Sequence, residues 1–270
     1  MHRTDGPVVL TLDYPGFRKE ARIDELGLDR HGVRVHELLR APLPRAVSGA
    51  AYAARLLAGL PPQPGPVAAI AAYCASAPLA FEVAAALGGP PPLIVLFDPE
   101  TTSWDTVTAD YRARLAGLAI PPDGQADPVG DRAATTLADD PQRFVDALTG
   151  ELARLARAAL REAGADEAEV TASATHLVGA YTDWLCHLVA ARHARTSGWP
   201  GEVLCLASAD AVPSGIARDA GRRAELRLPC DRFELLRSEE ARAAVLDALG
   251  LPREPYAQEG SGRCPSVSWS

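Results

Sequence analysis

The sequence predicts an α/β fold with a mainly parallel central sheet, flanked by helices and interrupted by an inserted helical lid. Continuously apolar runs alternate with helical segments over the first hundred residues, a pattern typical of strands buried on both faces of a parallel sheet. The strand pattern stops at about residue 101 and returns near residue 202. We interpret the helical stretch between these points as a lid and not as a second domain.

Each strand is predicted at an apolar or β-branched run bounded by turn residues. The predicted strands are 7–13, 33–39, 67–73, 93–97, 202–207 and 224–228. Helices are predicted where apolar residues recur at helical spacing, at 48–60, 75–87, 144–161, 173–194 and 238–249. Ser48 is a suitable N-cap for the first helix, and Pro78 is compatible with the second because it falls in the first turn.

These elements divide the chain into four predicted parts. The first core part is 1–100, the lid is 101–197 and the second core part is 198–251. A Gly-, Ser- and Pro-rich tail at 252–270 is expected to be flexible, and a loop is predicted inside the lid at 120–131.

The composition argues against several classes of partner. Lys and Arg number 27 against 35 Asp and Glu, a net charge of −8, which disfavours binding to a nucleic acid backbone. The N-terminus has no apolar leader and no segment suits a membrane span, so we expect a cytoplasmic protein without a membrane partner. The five cysteines show no zinc-site spacing and no Gly-rich phosphate loop occurs, so no metal or other cofactor is expected.

Residues 72–77 join the most apolar strand to a helix, where a nucleophile elbow of pattern G-x-S-x-G belongs. Such a turn exposes the nucleophile, and the following N–H and helix N-terminus stabilise developing negative charge. Here Cys74 occupies the nucleophile position, and Ala72 and Ser76 replace the glycines. A cysteine at a strand end can equally be an inert core residue, so the motif alone leaves both interpretations open.

The residues around this elbow resemble a known family. The run YCASAPLAFEV at 73–83 is similar to the G-Y-S-x-G-G-x-L-A-x-E elbow of the thioesterase domains of nonribosomal peptide and polyketide synthases. Further resemblances lie at 12–17, 96–99, 190–207 and 228–236. The resemblance runs in order from about residue 7 to 251 and implies the α/β-hydrolase fold.

The resemblance also implies a set of site residues, with one departure from the family. Asp98 falls at the triad acid, while the position of the catalytic histidine holds Arg232, which cannot serve as a base. The oxyanion is expected to bind the N–H of Ala75 and one from Gly16 or Phe17. In the family, the lid lines the acyl cavity, so Tyr181, Trp184 and the elbow residue Tyr73 are expected to contact substrate. His187, one helical turn after Asp183, is a possible alternative base.

Two functions are compatible with the altered triad. In the preferred one, Arg232 lowers the pKa of the Cys74 thiol, which accepts an acyl group presented on phosphopantetheine by an acyl or peptidyl carrier protein. Release to an amine, a thiol or water then makes the chain a thioesterase or acyltransferase of polyketide, nonribosomal peptide or antibiotic biosynthesis. In the alternative, Arg232 pairs with Asp98, Cys74 is inert, and the protein only binds an acyl chain or a carrier protein. Whether Arg232 faces Cys74 or Asp98 distinguishes the two.

Overall fold

The computed structural model describes residues 6–16, 18–61, 65–117 and 136–252. Its strands are β1 (Val8–Leu12), β2 (Arg34–Glu37), β3 (Val67–Tyr73), β4 (Leu93–Phe97), β5 (Glu202–Ala207) and β6 (Arg222–Arg227). They form one sheet in the order β2-β1-β3-β4-β5-β6, and every neighbouring pair is parallel. The predicted fold class, a mainly parallel sheet flanked by helices, is confirmed.

The central strands are apolar on both faces, as the sequence indicated. All residues of β1 and β4 are buried, as are the last five of β3. The edge strand β6 differs from its prediction because it runs from Arg222 to Arg227. Its backbone pairs with β5 from the Glu202–Arg222 position onward. The strand therefore begins with two charged residues, which the apolar pattern could not predict.

The helices are α1 (Gly49–Ala58), α2 (Ala77–Leu87), α3 (Trp104–Gly117), α4 (Pro141–Glu162), α5 (Glu167–Arg192) and α6 (Glu239–Ala248). Their N-caps explain where they begin. Ser48 Oγ accepts the N–H of Ala51 before α1, as predicted. Asp140 caps α4, and Asp166 forms a capping box with Glu169 at α5, so both of these helices begin earlier than their apolar periodicity indicated.

The chain divides into two compact units. The sheet unit comprises Met1–Pro42, Ala53–Thr101 and Ala194–Ser270, and the helical unit comprises Leu43–Tyr52 and Thr102–His193. In the helical unit, α4 and α5 pack together over buried apolar side chains that include Leu148, Leu152 and Leu185. The predicted loop at 120–131, and all but Pro252 of the predicted tail, lie outside the described residues.

In the sheet unit, the pairing register places the ends of β3, β4 and β5 side by side. Tyr73 at the end of β3 pairs with Phe97 at the end of β4, and Phe97 pairs with Leu206 near the end of β5. The residues that follow these strands therefore meet at one edge of the sheet, where ligands commonly bind in open α/β folds. Within the described ranges, no helix combines the length and the apolar character that a membrane crossing requires.

Candidate active site

The turn between β3 and α2 has the geometry of a nucleophile elbow. Cys74 has φ of 54°, in the left-handed region that costs energy for any residue other than glycine. A single 3₁₀ turn, Cys74–Ser76, leads directly into α2. The flanking Ala72 and Ser76 are small residues and are fully buried. The turn leaves Cys74 half-buried at the sheet edge where β3, β4 and β5 end.

The thiol of Cys74 lies among a guanidinium, a carboxylate and a backbone N–H. Nη2 of Arg232 lies 3.8 Å from Sγ. Burial, the charge of Glu100 and a hydrogen bond to the Glu100 carboxylate raise the pKa of the thiol to about 12, while Arg232 and the N–H of Ala75 act in the opposite direction. Arg232 thus lowers the pKa of Cys74, as expected, but burial and Glu100 outweigh the guanidinium, so the pKa is raised overall.

Arg232 pairs with two glutamates. Nη2 donates to Oε1 of Glu100 at 3.0 Å, and Nε lies 3.8 Å from Oε1 of Glu20. Burial alone would lower the pKa of Arg232, but the neighbouring Tyr73, Cys74 and Glu100 raise it. Arg232 is thus a permanent cation that faces the thiol, and the expected alternative of a pair with Asp98 is wrong.

Asp98 has a different partner. Its carboxylate accepts the backbone N–H of Ser208 at 2.7 Å and the Ser208 hydroxyl at 2.8 Å. The residue is 4 % exposed and has φ of 41°. Both carboxylate oxygens are therefore engaged with the residue that follows β5. Asp98 joins the ends of β4 and β5, and neither Cys74 nor Arg232 is among its hydrogen-bond partners.

Glu100 was not among the residues proposed from the sequence. Its backbone N–H donates to the carbonyl oxygen of Cys74 at 3.2 Å, which fixes the residue beside the elbow. The side chain is 48 % exposed and binds Arg232. The one available signal was that a second carboxylate follows Asp98 at the end of β4, but spacing alone could not indicate which of the two reaches the thiol.

Tyr73 directly precedes Cys74 and is 5 % exposed. The guanidinium of Arg18 lies 4.5 Å from the centre of its ring, and Asp13 holds Arg18 with an Nη2–Oδ2 bond of 2.9 Å. Burial raises the pKa of Tyr73 to about 12, so its hydroxyl stays protonated at neutral pH. A substrate contact by Tyr73 remains a prediction.

The predicted oxyanion donors are only partly described. The N–H of Ala75 acts on the Cys74 sulfur, as expected for the residue that follows a nucleophile. The carbonyl of Gly16 accepts a bond of 2.8 Å from Nη2 of Arg22, which ties down the loop after β1. Phe17 lies outside the described residues, so the second donor remains a prediction.

The predicted alternative base is buried within the helical unit. His187 is fully buried, its Nδ1 lies 3.3 Å from the Tyr52 hydroxyl, and its ring stacks on Trp184. Burial lowers the pKa of His187 to about 3. Asp183 does not orient it, because Oδ1 of Asp183 accepts a bond of 2.8 Å from Nε of Arg45. The Asp183–His187 pairing is therefore wrong.

The two aromatic residues proposed to line the acyl pocket differ in exposure. Tyr181 is buried against Tyr111, with ring centres 6.0 Å apart, and burial raises the pKa of its hydroxyl. Trp184 is half-buried. Their contact with substrate remains a prediction. The described residues include no group of three or more His, Cys, Asp and Glu side chains arranged to hold a metal.

The sequence gives no significant match to a protein-family model or to a curated protein. The structure is similar to a NocB thioesterase domain in covalent complex with a fluorophosphonate nocardicin G analogue, with 17% identity, a TM-score of 0.50 and coverage of 92% of this chain and 97% of that chain. Similarity is lower to the RedJ thioesterase from the prodiginine pathway of Streptomyces coelicolor, with 16% identity, a TM-score of 0.41 and coverage of 91% and 86%. An epoxide hydrolase of the α/β-hydrolase superfamily, from metagenomes of hot environments, gives 16% identity, a TM-score of 0.44 and 91% coverage of both chains. With its six parallel strands and the elbow after β3, the chain therefore has the α/β-hydrolase fold.

Proposed function

We propose that this chain is a thioesterase-like acyl-transfer enzyme of polyketide or nonribosomal peptide biosynthesis, with Cys74 as its nucleophile. The observation that carries the proposal is the thiol at a strained elbow, with φ of 54° and a guanidinium 3.8 Å from its sulfur. Strain of this kind persists only where the surrounding structure enforces it, and it is concentrated at functional sites. The substrate is an acyl or aminoacyl thioester, carried on the phosphopantetheine arm of an acyl or peptidyl carrier protein.

The site suits exchange between thioesters better than hydrolysis. Attack by Sγ on an acyl thioester replaces one C–S bond with another, so the two sides are close in free energy. The N–H of Ala75 stabilises the oxyanion, and Arg232 stabilises charge that develops on sulfur. An amine or a thiol is a stronger nucleophile than water, so either is the better acceptor for the acyl group.

The shared fold supports the same assignment. The similar NocB domain, which matches 92% of this chain at a TM-score of 0.50, is described as a thioesterase in covalent complex with a fluorophosphonate analogue. Such a complex requires a reactive group on that domain. We extend the thioesterase activity to this chain on the basis of the elbow residues 73–83 and the geometry around Cys74.

A second candidate is a non-catalytic protein that binds an acyl chain or a carrier protein. The raised pKa of Cys74, about 12, favours it, because roughly one thiol in 100,000 is ionised at pH 7. The expected Arg232–Asp98 pair, from which this candidate was first inferred, does not form, because Arg232 contacts Cys74 and Asp98 bonds to Ser208. The two candidates differ in whether an acyl group ever reaches Cys74.

Intact mass spectrometry tests the proposal directly. The protein is incubated at pH 7.5 with N-acetylcysteamine thioesters of octanoic acid and of an amino acid. We expect one added acyl group, which is lost in Cys74→Ala and retained in Cys230→Ala. Cys230 is a matched control because it is also partly buried and lies two residues from Arg232. A folded wild-type protein that gains no acyl group from either thioester would favour the binding protein.

A further inference from the structure

Glu100 is held against the nucleophile by both its backbone and its side chain. Its N–H donates to the Cys74 carbonyl at 3.2 Å. One nitrogen, Nη2 of Arg232, lies 3.0 Å from Oε1 of Glu100 and 3.8 Å from Sγ of Cys74. The Glu100 carboxylate also raises the pKa of the thiol. The three side chains thus form one contiguous group, which we call the Cys74–Glu100–Arg232 cluster.

The thiol requires a proton acceptor in order to react. It stays protonated at neutral pH because burial and Glu100 raise its pKa to about 12, so attack on a carbonyl has to coincide with loss of the proton. Arg232 cannot accept it. Two further carboxylates near this group have other partners, since Asp98 bonds to Ser208 and Glu20 approaches Nε of Arg232.

We propose that Glu100 is the general base and acid of this site, in the role that a histidine has in the usual triad. The proposal rests on the proposed function. As Sγ forms its bond to the acyl carbon, the thiol proton moves to the Glu100 carboxylate. The C–S bond of the incoming thioester then breaks, and the departing sulfur takes that proton from Glu100. No proton is gained or lost overall.

The same cycle delivers the acyl group to an amine. The amine nitrogen attacks the acyl carbon and gives a proton to Glu100, and Sγ recovers a proton from Glu100 as the C–Sγ bond breaks. Glu100 is 48 % exposed, so its carboxylate is accessible both to the departing thiol and to the incoming amine. Throughout the cycle Arg232 holds one carboxylate oxygen and remains next to the sulfur, where negative charge accumulates.

The variant Glu100→Gln separates this role from a merely structural one, because it is expected to change two rates in opposite directions. Loss of the negative charge and of the hydrogen-bond acceptor lowers the pKa of Cys74, so alkylation by iodoacetamide at pH 8 becomes faster. Acylation of Cys74 by octanoyl-N-acetylcysteamine becomes slower, by about tenfold or more, because the base is lost. Both rates are followed by mass spectrometry of the Cys74 peptide.

Two further variants complete the test. Glu20→Gln removes a different carboxylate that approaches Arg232, and we expect it to slow acylation less than Glu100→Gln does. If Glu100→Gln does not fold, Glu100→Ala is used with added formate, which is expected to restore acylation. Unchanged acylation in Glu100→Gln, equal losses in both of its rates, or absence of rescue by formate overturns the role of Glu100. A wild-type protein that forms no acyl-Cys74 instead contradicts the proposed function.

Discussion

Each unit of the molecule contains a titratable group that the sequence offered as catalytic, and their surroundings differ in one respect. In the sheet unit, Cys74 lies against a guanidinium and a carboxylate, each on a different loop. In the helical unit, His187 lies against the neutral Tyr52 and Trp184. Burial disfavours the charged form of both groups, and at Cys74 the charges of Glu100 and Arg232 act on the thiol as well. We therefore expect proton transfer at Cys74, beside a guanidinium and a carboxylate, and not at His187, whose ring packs against Tyr52 and Trp184.

The pH dependence of stability gives the largest expected effect. The pKa of His187 is about 3 in the folded protein, against an ordinary value of 6.5. Below pH 6.5 the unfolded chain therefore binds a proton that the folded chain excludes, and stability falls as the pH drops from 6.5 towards 3. Between pH 7 and pH 5 the wild type should lose about 2 kcal/mol more than His187→Phe, which keeps the aromatic stack. Urea unfolding at the two pH values measures this.

His176 supplies the control for that experiment, because it lies on the same helix, α5, and is exposed. His176→Phe should show the same loss of stability between pH 7 and pH 5 as the wild type. A His187→Phe variant with the wild-type loss would mean that His187 is protonated inside the fold. It would then resemble Cys74 in having a charged environment.

Removal of the guanidinium gives a smaller effect, in the sheet unit. Arg232 lowers the pKa of Cys74 against the opposing action of burial and Glu100. Arg232→Met should therefore raise that pKa further and slow alkylation by iodoacetamide at pH 8 severalfold. Arg237→Met is the matched control, since Arg237 pairs with Glu25 and Glu234 on the surface and should leave the rate unchanged. Faster alkylation in Arg232→Met would show that the guanidinium shields the sulfur instead of stabilising the thiolate.

The sequence was most informative where a pattern is local and repeated. Continuous apolar runs located the strands, and small residues around Cys74 located the elbow. The contact between Arg232 and Cys74 joins residues 158 positions apart, so only the family resemblance could suggest it. In the helical unit, the spacing of Asp183 and His187 is local and yet misleading, because Arg45 binds the carboxylate from outside the helix.

The different roles of Asp98 and Glu100, the two carboxylates after β4, could not be predicted from the sequence. Asp98 and Glu100 are separated only by Pro99 and both follow the same strand. The backbone at Asp98 has φ of 41°, and its carboxylate is bound by Ser208, while Glu100 lies against the thiol. This division depends on one left-handed residue and on a partner more than a hundred positions away. The raised pKa of Cys74 likewise follows from burial, which no motif encodes.

We propose that Cys74 transfers its acyl group to an amine or thiol in preference to water, because both are stronger nucleophiles than water. The most direct test is the fate of the isolated octanoyl-Cys74 protein, followed by intact mass at pH 7.5 with and without a primary amine such as glycine ethyl ester. We predict that the acyl group persists in buffer alone and is lost at a rate that rises with amine concentration, with the amide as product. Loss at the same rate with and without the amine, with octanoic acid as the sole product, would contradict the account.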